Sequence, residues 1–250
     1  MAGHSHWAGI KHKKAAEDAK RGKLFSRLAK EIIVAARDGG GNPDANPSLR
    51  AAVDRAKSFN MPNANIERAI KSGTGELPGV TYERFVYEGY GPGGIAILLD
   101  ILTDNRNRTA SEIRKIFALR GGNLEGSVAW MFENKGLLTV PADAADEDTL
   151  LEIALEAGAD DLQRLDGTYE ITTAPGDFSA VQDALADRDI PTDVAEVTML
   201  PQTLLTLDRD TARKALDLLN ELDDHDDVQN VYTNLDIPAD LADETETASE

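Results

Sequence analysis

The sequence predicts a helical N-terminal domain followed by two α/β domains of ferredoxin-like type, the third inserted in the second. Three observations predict this. Apolar residues recur at helical spacing through the first 75 or so residues, and give way to strand-like runs from Tyr82 onward. Between Leu137 and Leu200 strands and helices follow the order of a split βαβ unit. The pieces on either side of that unit complement each other.

The helical part comes first. Around Lys20 to Arg37, the residues Leu24, Phe25, Leu28, Ile32 and Ala35 fall on one helix face, and Gly39-Gly40-Gly41-Asn42-Pro43 ends the helix. A second helix runs from about Pro47 to Ser58, is broken by Asn60-Met61-Pro62, and is followed by a third from about Asn65 to Ser72-Gly73. Thr74 to Gly79 reads as a linker.

Tyr82–Tyr90 and Ile95–Leu102 read as strands joined by the turn Gly91-Pro92-Gly93-Gly94. Asp104 or Asn105 caps a helix carrying Ile113, Ile116 and Phe117, and Val128–Phe132 and Leu137–Val140 are strand-like. A helix from Thr149 to Ala157, two strands (the second Tyr169–Thr173), a helix from Phe178 to Ala186 and a strand from Val194 to Met199 complete the split βαβ unit. Leu204–Leu207, a helix from Arg209 to Leu222 and Val228–Leu235 then supply the strand-helix-strand missing from the piece begun at Tyr82. The expected domains are residues 1–78, 79–135 with 202–238, and 136–201, with a disordered acidic tail over 239–250.

Composition narrows the function. Without cysteine, disulfides, thiolate metal sites and cysteine nucleophiles are excluded. The most apolar stretch, Ile95–Leu102, is too short to span a bilayer and contains Asp100. No signal peptide is visible, so a cytoplasmic protein without a membrane partner is expected. The net charge of −19 is unevenly spread. Residues 1–75 hold 14 Lys/Arg against 7 Asp/Glu, whereas residues 141–250 hold 5 against 30. Such asymmetry suggests a polyanion-binding end and a repelling end.

The strongest functional feature lies in the basic end. Lys11, His12, Lys13 and Lys14 precede Lys20, Arg21, Lys23, Arg27 and Lys30. On a helix Lys20, Lys23, Arg27 and Lys30 share a stripe roughly 80° wide, which can follow a row of phosphates. A solvated helix face is the ordinary alternative. Trp7 and Phe25 suit either base stacking or internal packing. A second candidate is Thr103 to Thr109, where Arg106 and Arg108 flank a helix N-terminus suited to phosphate; cap chemistry with surface arginines weighs equally. Gly89 to Gly94 lacks the Gly-Lys-Ser/Thr ending of a phosphate-binding loop and joins two strands, so it reads as a turn.

An enzyme is not expected. Of the four histidines, His4, His6 and His12 sit in the basic segment. His225 lies in Asp223-Asp224-His225-Asp226-Asp227, which reads as a solvated acidic loop rather than a cation site. Neither a metal, a cofactor nor a small-molecule substrate is expected. The one possible metal chelate, Ala2-Gly3-His4 with Cu(II) or Ni(II) after loss of Met1, carries no physiological weight.

Several motifs carry a family resemblance: Met1 to Trp7, Ile10 to Lys14, Asp18 to Lys23, Asn60-Met61-Pro62, Tyr87 to Gly94 and Thr103 to Thr109. With these the chain resembles the YebC/PmpR family, whose mitochondrial relatives are translational activators of cytochrome oxidase. One departure is the run Gly121 to Val128, which is shorter than the Gly-rich run expected there. The resemblance implies three domains without catalytic residues. It also implies either a DNA-binding transcriptional regulator or a ribosome-associated factor that binds ribosomal RNA and relieves stalls such as those at proline runs. The residues themselves show nothing that reads base edges, which favours backbone or shape recognition. A protein–protein adaptor working through the acidic domains is the remaining alternative.

Overall fold

The computed structural model describes residues 18–165, 167–237 and 241, with side chains described from Gly22 onward. The chain forms a helical N-terminal domain and two α/β domains, the third inserted in the second.

Three helices make the first domain: α1 (Asp18–Gly39), α2 (Pro47–Ser58) and α3 (Asn63–Gly73). Their apolar faces meet in one core built on Leu28, Ile32, Leu49, Val53, Met61 and Ile66. Gly40, at φ 87°, ends α1 in the left-handed region that glycine adopts without strain. Asn46 starts α2: its side-chain oxygen accepts the Leu49 amide at 3.1 Å, and its amide nitrogen donates to the Ala35 and Gly40 carbonyls, each at 2.8 Å.

The second domain places β1 (Glu83–Tyr90), β2 (Ala96–Thr103) and β8 (Val228–Thr233) in an antiparallel sheet of order β1-β2-β8. Helices α4 (Arg106–Leu119) and α7 (Arg209–Asp223) cover one face. There Ile97, Leu99 and Ile101 of β2 pack with Ile113, Phe117, Leu216 and Leu219. The alternate residues Ala96 and Leu98 meet Val128, Phe132 and Met199 on the opposite face. With both faces covered, β2 reads as a nearly continuous apolar run rather than an alternating one.

The inserted domain runs β3 (Phe132–Pro141), α5 (Glu147–Glu156), β4 (Ala159–Leu165), β5 (Thr168–Thr173), α6 (Phe178–Ala186) and β6 (Val194–Pro201). Its sheet order β4-β5-β3-β6, antiparallel throughout, is that of a ferredoxin-like fold.

Two strand expectations require correction. Of Val128–Phe132 only Phe132 is strand, as the first residue of β3: Ala129–Met131 forms a 3₁₀ turn, and the Val128 and Ala129 amides donate to Glu88 Oε2 at 2.6 and 2.8 Å. The polar stretch Glu133–Lys135 does not interrupt the strand, because β6 pairs with it, and β3 runs on through Leu137–Val140, where β5 joins on the other side from Gly136. The segment around Leu204–Leu207 does not join the second domain's sheet. Only β7 (Leu205–Thr206) is extended, and it pairs in parallel with β9 (Leu235–Asp236). The tail expected from Ala239 lies outside the described residues except for Leu241, which is buried in the second domain's core.

Candidate nucleic-acid interface

Residues Lys23, Arg27 and Lys30 occupy the α1 face beside its apolar one, spaced so that they point the same way from successive turns. That face meets the turn that follows α7. Lys23 Nζ donates to the Asp224 carbonyl at 2.9 Å, and Lys30 Nζ donates to the Asp226 carbonyl at 2.9 Å. Arg27 donates to the Asp223 carbonyl and, at 3.4 Å, to that of His225. Its guanidinium also lies 3.6 Å from Asp223 Oδ1. The carbonyls at a helix C-terminus have no partner within the helix and carry its negative end, so they suit cations.

At the centre of this junction is Asp227, only 4% exposed. Its Oδ1 accepts Lys30 Nζ at 2.8 Å. Its Oδ2 accepts Arg108 Nη2 at 2.7 Å and the hydroxyls of Thr109 and Thr103 at 2.8 and 2.9 Å. One carboxylate thus ties α1, the end of β2 and the start of α4 together. Burial pushes this carboxyl up, but the bonds from Lys30, Arg108, Thr109 and Thr103 outweigh it and hold the group well below the ordinary carboxylate range. Arg108 is raised in turn, chiefly by its bonds to Asp227 and Asp104. Tyr82 completes the surroundings: Lys30 Nζ lies 5.5 Å from its ring centre, and burial, with Asp104 and Asp227, raises its hydroxyl. A cleft of about 1060 Å³ opens beside the junction between Ser26, Lys30, Glu112 and Asp226.

The other sequence candidates lie as follows. Lys11, His12, Lys13 and Lys14 are outside the described residues, as are Trp7 and the Ala2-Gly3-His4 chelate; Lys20 and Arg21 are described only as backbone of α1. Arg106 and Arg108 diverge. Asn105 caps α4 by accepting the Arg108 amide at 3.1 Å, Arg106 stacks 5.1 Å from the Phe85 ring centre, and Arg108 turns to Asp104 and Asp227. Lys30 and Arg108 therefore share one carboxylate. Phe25 packs against the N-terminal core.

The acidic loop needs a correction. Asp224 and Asp226 are exposed, but Asp223 and Asp227 are buried. His225 is fixed by accepting the Asp227 amide on Nδ1 at 3.1 Å, with Nε2 3.0 Å from Glu112 Oε2. Sequence reasoning missed Asp227, Thr103 and Thr109. The available signal was the grouping of Thr103, Arg108 and Thr109 at one strand-to-helix junction, three donors that need a shared acceptor when buried.

Among the described residues, no group of three or more His, Asp or Glu side chains converges so as to hold a metal ion. Among them, too, no helix is long and apolar enough to cross a membrane.

Comparison with known proteins agrees with this architecture. The chain is 56% identical over 244 residues to a probable transcriptional regulatory protein of Dictyoglomus turgidum, covering 96% of this chain and 98% of that one. It is 57% identical over 242 residues to one from Natranaerobius thermophilus, covering 95% and 97%. A crystal structure of a conserved hypothetical protein from Aquifex aeolicus superposes with a TM-score of 0.76 at 49% identity, over 88% of this chain and 92% of that one. The TACO1/YebC N-terminal domain model matches residues 5–76, and the model of the second and third domain matches residues 82–235. With both matches in order along nearly its whole length, the chain belongs to the TACO1/YebC family.

Proposed function

We propose that this chain is a non-enzymatic regulator of gene expression that binds nucleic acid through the helical N-terminal domain, by phosphate contacts rather than base readout. The observation that carries this reading is the partition of charge. The first 75 residues hold twice as many Lys/Arg as Asp/Glu, in a chain whose net charge is −19. Lys57, Arg68 and Lys71 stand exposed on α2 and α3, and Lys11, Lys13 and Lys14 add three cations to the same domain. Cations on one small domain displace counterions from a phosphate backbone, which gives affinity without sequence readout. The strongly acidic remainder repels phosphate and keeps it on the basic end. The relatives' naming as probable transcriptional regulatory proteins favours DNA as the nucleic acid.

The test is a titration of the full chain against random-sequence duplex DNA and against ribosomal RNA over a range of salt. The expected result is binding to duplex DNA whose logarithm falls linearly with the logarithm of salt concentration. Binding confined to ribosomal RNA moves the protein to the ribosome. Salt-insensitive behaviour with neither nucleic acid bound leaves the adaptor reading.

A further inference from the structure

The α1 stripe, whose spacing in the sequence suits a row of phosphates, already has an occupant. Lys23, Arg27 and Lys30 are bonded to the backbone carbonyls of Asp223, Asp224 and Asp226 and to the Asp227 carboxylate. We propose that the turn Asp223–Asp227 is an intramolecular competitor of nucleic acid: α1 engages either this turn or a row of phosphates, not both. The inference rests on the nucleic-acid reading and adds a regulated step to it.

Three features make the contact exchangeable. The first is its chemistry: the turn offers α1 a short run of oxygen acceptors at the negative end of α7, within a five-residue segment holding four carboxylates. It therefore presents α1 with the kind of partner a phosphate backbone presents. The second is incomplete satisfaction. Among the described residues Arg27 Nε has no hydrogen-bond partner, and Asp223 Oδ1 meets Arg27 Nη1 only at 3.6 Å, so the closed arrangement does not satisfy all the donors and acceptors it covers. The third is what remains after opening. If Lys30 leaves, Asp227 keeps Arg108, Thr103 and Thr109, all on its own α/β domain. The carboxylate is not stranded, so release avoids the cost of leaving a buried charge unpaired.

In the sequence Lys20 lies three positions before Lys23, and Lys11, Lys13 and Lys14 precede it. A strand captured by the cations near the N-terminus can then advance along α1 and displace the turn. The neighbouring cleft gives it an approach from the side of Ser26.

The experiment locks the contact covalently. The chain has no cysteine, and Ser26 and Asp226 are both exposed and line the same cleft, so Ser26→Cys with Asp226→Cys gives the only two thiols. They are joined by a flexible bismaleimide containing a cleavable disulfide. Binding to random-sequence duplex DNA and to ribosomal RNA is measured before and after cleavage, with a monofunctional maleimide as control. The expected result is at least tenfold weaker binding by the linked chain, with parental affinity restored on cleavage and unchanged by the control. Equal affinity of linked and cleaved chains, with the parent binding normally, overturns the competition and leaves the nucleic-acid reading standing. If the parent binds neither probe, the nucleic-acid reading falls and the competition falls with it.

Discussion

Asp227 shows how one residue can gather donors from two domains. Its two oxygens collect four donors from three elements, and the side chain can play this part only while ionised. A carboxyl held below its ordinary range stabilises the fold above the unfolded-state value of about 3.9, and this stabilisation is lost as pH falls from there towards the folded value. Asp227→Asn is therefore expected to cost about 2–4 kcal/mol at neutral pH and to flatten the loss of stability below about pH 4. Urea midpoints measured across that pH range check this; parallel acid limbs in parent and variant contradict it. The residue was not legible in the sequence. Four aspartates in five positions read as a solvated loop, because nothing local announces that Lys30, nearly two hundred positions away, and Arg108 fold onto one of them. Asn105 was legible, since its cap depends only on residues within one turn.

At the scale of elements, local chemistry and pairing divide the work. The ends of α1 and α2 are joined through Asn46, which is 5% exposed and bonds three backbone groups. Gly39 sits so close to it that a Cβ there would lie 2.6 Å from the Asn46 amide nitrogen. Asn46→Ala removes a cap and leaves the Ala35 and Gly40 carbonyls without that donor, an expected loss of about 2–3 kcal/mol. Chemical denaturation reads it, and a change below about 0.5 kcal/mol places Asn46 among ordinary surface positions. Helices α1 to α3 were visible from periodicity and breakers, because each buries a single stripe. The segments Val128–Phe132 and Leu204–Leu207 misled because a short apolar run looks alike in a strand, a 3₁₀ turn and a two-residue bridge. Which of these forms was settled by Glu88, which takes the amides at Val128 and Ala129, and by β9, which pairs with β7.

For the whole molecule, charge partition and domain order were readable from the sequence, while domain placement was not. The basic domain and the acidic remainder are not simply held apart: α1 lies against an acidic turn of the second domain. Part of the stripe is therefore engaged, and the N-terminal cations carry the first contact with nucleic acid in the proposed account. The most direct test is the salt dependence of duplex DNA binding by the full chain and by a Lys11→Gln, Lys13→Gln, Lys14→Gln variant. The account predicts that the variant binds more weakly and that its slope of log affinity against log salt is shallower by roughly 3, about 0.9 for each phosphate no longer neutralised. An identical slope and affinity in parent and variant would contradict the claim that the basic N-terminal domain is what meets the phosphate backbone.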